Sequence, residues 1–180
     1  MSEYGCSGSV YQHENPIMAQ PTPSSPWHPE EYETYHHRVQ YSILKDMPEC
    51  WGVYMWMMFD AAADQRDEGD QPGVNDKGLV TRDRRTRKDA FYFYKANWNP
   101  EPMLHLVGAR RTHTTNAVNS VFAFCNAGRV SLSVNGAPVG EREPDDRKAV
   151  IWDGVRLAPG TNVIEVRSGP LSASCRLRLD

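Results

Sequence analysis

Trp51-Gly52-Val53-Tyr54-Met55-Trp56-Met57-Met58-Phe59-Asp60 is the stretch on which the fold turns. It carries no charge until the closing aspartate, and it is far shorter than the roughly 18 apolar residues that cross a bilayer. Apolar side chains at consecutive positions predict a parallel strand from Cys50 to Asp60, buried on both faces. Upstream, Tyr32, Tyr35, Val39, Ile43 and Met47 recur at helical spacing behind Pro29-Glu30-Glu31, which predicts a helix over about 30–46 with that stripe facing inward. Downstream, Ala61 to Lys77 is polar and rich in Asp and Gly, hence a loop at the strand's carboxyl end. Leu79-Val80-Thr81 reads as a short extended piece, and Asp89 to Ala96 as the next helix. Helix, strand, loop and helix in that order make a βα unit of an α/β barrel.

The chain's opening, Met1-Ser2-Glu3-Tyr4-Gly5, reads as the end of a neighbouring strand followed by a tight turn. Residues 6–29 are loop-like and contain Pro16, Pro21, Pro23, Pro26 and Pro29; a loop this long is usually functional or wraps a neighbour. Pro100-Glu101-Pro102 marks a boundary. Beyond it the pattern becomes short strands: Leu104 to Val107, Val118 to Cys125, Arg129 to Val134, Ala149 to Trp152, Asn162 to Arg167 and Cys175 to Leu179. In the third of these Val130, Leu132 and Val134 face one way and Arg129, Ser131 and Ser133 the other. Asn135-Gly136 is a hairpin signal and Pro159-Gly160 a second turn. The expectation is α/β plus all-β: residues 1–99 as the last two βα units of a (β/α)8 TIM barrel, and residues 100–180 as an all-antiparallel, immunoglobulin-like β-sandwich.

Lys and Arg number 20 against 23 Asp and Glu, a net charge of -3, which points to neither nucleic acid nor a membrane surface as a partner. Cys6, Cys50, Cys125 and Cys175 form no CxxC pair and read as buried thiols rather than a disulfide framework. His36 and His37 are adjacent and no HExxH is present, so no metal and no cofactor are expected. The basic run Arg82 to Lys88 is interrupted by Asp83 and reads as a solvated turn entering a helix. Compartment is left open: periplasmic, secreted and cytoplasmic alike.

The wording Ser2-Glu3-Tyr4-Gly5, then VYMWMMFD over 53–60, then EGDQPGVNDKGLVTRDRRTRKDAFYFYKANW over 68–98, resembles the glycoside hydrolase family 2 enzymes, the β-galactosidases and β-glucuronidases. The resemblance is close over residues 1–99 and looser beyond. It implies a retaining exo-β-glycosidase, foremost a β-galactosidase, with Glu3 as the catalytic nucleophile, Tyr4 beside it and Gly5 permitting the turn. It implies that Trp56 stacks on the sugar at a strand tip and that Asn75, Asp76 and Lys77 reach over the pocket. Asn75 with Lys77 also resembles the glucuronidase signature that holds a sugar carboxylate, so β-glucuronidase-type specificity is the alternative. Cys6 departs from the histidine of some β-galactosidases at this place. His13 and His28, in the long loop, are further candidates for lining the cleft.

No stretch matches the family's acid/base glutamate, and Asp60, Asp64 and Glu68 do not stand in that role. The expected partners are therefore a carbohydrate substrate and a missing N-terminal portion of the same enzyme, the chain alone being inactive. Met1 falls where an apolar strand residue is expected, so the start reads as a cut. Without the missing portion, Val53, Met55, Met57 and Phe59 are expected to face water and the first hundred residues to be loose, while the sandwich folds. A non-catalytic carbohydrate-binding sandwich module with a barrel remnant is the rival reading.

Overall fold

The structure is a computed structural model describing residues 3–180. Two compact units divide the chain, the first ending at Phe91 and the second spanning Tyr92–Asp180. No helix among the described residues is long and apolar enough to cross a membrane.

In the first unit, helix α1 spans Glu30–Lys45. Pro29 enters it in an extended conformation, Glu30, Glu31 and Glu33 oppose the positive helix end, and Lys45 sits in the last turn. The helix lies where the sequence predicts it, but it turns a different face inward. Its buried residues are Glu30, Tyr32, Glu33, Thr34, His37, Tyr41 and Leu44. Tyr35, Val39, Ile43 and Met47, predicted to face the core, are exposed, and only Tyr32 of that stripe is buried. The reason is what α1 packs on: Glu30 accepts a hydrogen bond from the backbone N–H of Asp89, and Glu33 lies beside a buried lysine. The polar side of the helix is the side with partners.

The stretch 51–60 is not a regular strand buried on both faces. Trp51, Tyr54, Trp56 and Met58 are exposed, and Val53, Met55, Met57 and Phe59 are half-buried, the reverse of the set expected to face water. Pairing explains the alternation. On one side Tyr4 bridges Met55 in parallel, its N–H donating to the Tyr54 carbonyl at 3.0 Å and its carbonyl accepting from Trp56 N–H at 2.6 Å. On the other side Phe59 bridges Val80 in parallel, and Leu79 and Val80 donate to the carbonyls of Met57 and Met58, each at 3.0 Å. The Trp56–Met57 peptide is cis. Two short antiparallel strands, β1 (Ala61–Ala62) and β2 (Val74–Asn75), follow. Helix α2 then spans Asp89–Trp98, with the division between units falling inside it.

The second unit is a two-sheet β-sandwich built from β3 (Leu104–Val107), β4 (His113–Thr114), β5 (Val118–Cys125), β6 (Val130–Val134), β7 (Ala137–Arg142), β8 (Ala149–Arg156), β9 (Gly160–Ser168) and β10 (Leu171–Leu179). One sheet has the order β3-β5-β8, the other β4-β10-β9-β6-β7. Alternating residues of both, among them Val121, Ala123, Leu132, Trp152, Ile164 and Val166, meet in one apolar core. Asn135 and Gly136 both have positive φ, as a tight hairpin between β6 and β7 requires. The sandwich is not all-antiparallel, because β4 pairs with β10 in parallel. Strands β4 and β7 escaped the sequence reading. The first is two residues long, and the second carries Pro138 and Gly140, which a sheet edge tolerates and a central strand does not.

Candidate active site

Glu3 is exposed and stands one residue before the bridge that locks Tyr4 between Tyr54 and Trp56. The sequence-predicted nucleophile and the sequence-predicted stacking indole therefore ride on adjacent, parallel-paired segments. Trp56 is 45 % exposed and Tyr4 is buried. Gly5 closes this junction: a Cβ there would overlap the carbonyl oxygen of Trp56, which is backbone and cannot swing aside. Gly5→Ala is expected to cost about 1–3 kcal/mol, the usual toll of overpacking a tight contact, read as a lower urea midpoint.

A buried lysine organises the segments behind that junction. Lys88, 1 % exposed, donates through Nζ to the Gly8 carbonyl at 2.5 Å, to the Asp76 carbonyl at 2.8 Å and to Asp60 Oδ1 at 2.9 Å. Glu33 Oε1 lies 3.8 Å away. Burial opposes the ammonium, but Glu33 and Asp60 together hold Lys88 above the ordinary lysine range. Burial lifts Glu33 well above the carboxylate range, with Lys88 opposing the rise. Asp60 is also raised by burial, against the pull of Lys88 and of the Gly78 N–H that donates to its Oδ1 at 2.7 Å. One side chain thus ties together the segment after Glu3, the end of the 51–60 stretch and the 75–77 loop.

The three predicted loop residues divide in their roles. Asn75 is buried and its Oδ1 accepts from the backbone N–H of Lys77 at 3.3 Å. Asp76 is buried and its Oδ2 pairs with His28 Nδ1 at 2.7 Å. Burial would raise Asp76, yet the hydrogen bond and charge of His28 keep it below the ordinary aspartate range. Both side chains hold the loop, while Lys77 lines a cavity of about 120 Å³ together with Gly5, Cys6, Ser7, His28 and Tyr32. Glu3, Tyr4 and Trp56 are not in its wall. Burial pushes the Cys6 thiol up to about 12, so it stands in the wall as a neutral group.

Of the other candidates, His13 pairs with Glu31 at 3.0 Å, away from this cavity. Asp60 is committed to Lys88, Glu68 to Arg66, and Asp64 is exposed. Among the described residues no group of three or more His, Cys, Asp or Glu could hold a metal ion. Sequence reasoning missed Lys88 by counting it in a solvated basic run. Its place directly before the helix-opening Asp89 was the only local hint.

No family model matches the chain. It is 46 % identical over 167 residues, 92 % of its length and 24 % of the relative's, to a β-glucuronidase of Bacteroides fragilis. It is 27 % identical over 150 residues to a β-galactosidase of Bacteroides ovatus, covering 79 % of this chain and 17 % of that one. Among solved structures, an FMN-binding β-glucuronidase from Faecalibacterium prausnitzii L2-6 matches all of the chain with a TM-score of 0.88 and 34 % identity, over 27 % of its own length. A Bacteroides fragilis protein named as a candidate β-galactosidase does so with a TM-score of 0.91 and 30 % identity, over 28 %. The chain spans about a quarter of the length of these relatives, and less of the Bacteroides ovatus one. The chain is homologous to a segment of bacterial β-glucuronidases and β-galactosidases.

Proposed function

We propose that this chain is part of a retaining exo-β-glycosidase of the glycoside hydrolase family 2 type, and that its substrate is a β-glucuronide. In this reading residues up to about 99 are the closing βα units of a TIM barrel, and the remainder is an immunoglobulin-like module. The Glu3 carboxylate attacks the anomeric carbon, the bond from that carbon to the aglycone oxygen breaks, and a glycosyl ester forms on Glu3. The departing oxygen takes its proton from a carboxylic acid on polypeptide outside this chain, and water then hydrolyses the ester. The exposed apolar side chains of α1 and of Trp51, Tyr54, Trp56 and Met58 suit that same polypeptide as their cover.

The observation that carries the choice of sugar is Lys77, an ammonium in a cavity wall that contains no carboxylate. A sugar carboxylate is the natural partner for such a group, and a neutral galactoside offers none. The 46 % identical β-glucuronidase supports the same choice. A β-galactoside is the second reading, favoured by the Bacteroides ovatus relative.

The test is turnover by the product of the complete reading frame that contains these residues. 4-Nitrophenyl β-D-glucuronide should be cleaved in preference to the galactoside, with retention of configuration seen by proton NMR. Lys77→Ala should lower kcat/KM for the glucuronide by about 10–100-fold, the loss of one charge-assisted hydrogen bond. Preference for the galactoside, with Lys77→Ala indistinguishable from the parent, would overturn the glucuronide reading.

A further inference from the structure

The main chain around Lys77 is held on both sides. Ahead of it, the Asp76 carbonyl accepts from Lys88 Nζ at 2.8 Å and from the Gly8 N–H at 3.1 Å. The carbonyl of Lys77 itself accepts from the Met57 N–H at 2.9 Å. After it, the Gly78 N–H donates to Asp60 Oδ1 at 2.7 Å, the same oxygen that accepts from Lys88 Nζ at 2.9 Å. Gly78 sits directly on the end of the 51–60 stretch, where a Cβ would overlap the backbone of Phe59 and Asp60. The Asp60 side chain is only 8 % exposed, and a buried carboxylate is retained where it is well partnered. Both partners of its Oδ1 bear on one neighbour: Lys88 fixes the peptide that leads into Lys77, and Gly78 is the residue that follows it.

We propose that Asp60 is a positioning residue for substrate recognition: through Gly78 and Lys88 it fixes the backbone from which the Lys77 ammonium meets the substrate carboxylate. This rests on the β-glucuronide reading and names the group that makes Lys77 effective. Asp60 is not in the wall of the cavity that Lys77 lines, so it acts through its neighbours and not by contact. The need follows from the side chain concerned. A lysine ammonium is a point charge on a flexible stem of four carbons, and it selects one place for a carboxylate only if its own Cα is fixed. Displacing a recognition group by about 1 Å can cost on the order of 100-fold in rate. Asp60 and the Met57 N–H also belong to the stretch that carries Trp56, so the same contacts tie the Lys77 loop to the segment bearing the indole.

The test is a double-mutant cycle in the complete enzyme with 4-nitrophenyl β-D-glucuronide. Asp60→Ala should lower kcat/KM about tenfold, with the loss falling on KM rather than kcat, because Lys77 is no longer placed for the carboxylate. Added to Lys77→Ala, the same substitution should change kcat/KM by less than about twofold, since the group it acts through is gone. A merely structural loss would lower both backgrounds by the same factor. Asp60→Asn keeps an oxygen for Gly78 and Lys88 and should recover most of the parent KM. Where Asp60→Ala yields no folded enzyme, Asp60→Glu, which keeps the charge but displaces the oxygens by one methylene, carries the same expectation. Equal factors in the two backgrounds, a parent-like KM in the Ala or Glu variant, or a loss in Asp60→Asn as large as in that variant overturns the inference. Failure of the glucuronide reading is seen separately, in the parent enzyme's preference for the galactoside and in a Lys77→Ala variant indistinguishable from the parent.

Discussion

Lys88→Met is expected to destabilise the first unit by about 3–5 kcal/mol, the usual cost of removing one partner from a buried ion pair. The methionine fills much of the volume but leaves the Gly8 and Asp76 carbonyls without a donor and Asp60 without its counter-charge. A large drop in the urea midpoint, followed by a probe in the first unit such as Trp56 fluorescence, would register it. Arg82→Met, in the same basic run but on the exposed surface, should leave that midpoint where it is. Equal midpoints for the two variants would remove Lys88 from its place at the centre of the unit.

Glu33 sharpens the same prediction through pH. Its folded value is raised by burial, so the stability it contributes is present below the unfolded value and is lost as pH rises through the folded one. Glu33→Gln should therefore cost far less than Lys88→Met at neutral pH. It should also flatten the loss of stability as pH rises from the unfolded value through the folded one. The sign would be opposite if Glu33 were held ionised by Lys88.

Glu3→Ala is expected to lower glucuronide turnover in the complete enzyme by about 10⁴-fold or more, as loss of a covalent nucleophile does. Azide should restore activity to this variant by occupying the vacated space and attacking the anomeric carbon itself. The product is then a glycosyl azide of α configuration, because attack comes from the face that Glu3 would have used. Turnover within tenfold of the parent, or a β-azide, would place the nucleophile elsewhere.

The sandwich was the more legible half because period-two alternation reports burial directly wherever the core is apolar. Val130, Leu132 and Val134 are buried and Ser131 and Ser133 are not, as their spacing predicts. The position of α1 was legible for a related reason, its proline and acidic first turn being local signals. Its buried face was not, because pattern reading assumes that whatever lies under a helix is greasy. Here a lysine lies under it, and Glu33 and His37 go inward while Val39 and Ile43 stay out. The stretch 51–60 failed on the same assumption in reverse, since an apolar run says nothing about how many neighbours are present to cover it. Glu3, Trp56 and Lys77 were expected from the wording of short motifs. Lys88 and His28 were not, or only weakly, because what makes them matter is contact across 80 and 48 positions of chain. No window of sequence contains such a pair.

The thiol in the cavity wall has a bearing on inhibitor chemistry. With its proton held up to about 12, Cys6 offers almost no thiolate at neutral pH, and thiolate is the form that alkylating and oxidising reagents attack. An electrophilic sugar analogue entering this cavity would meet sulfur without being captured by it. Treatment with iodoacetamide at neutral pH would then leave Cys6 unlabelled.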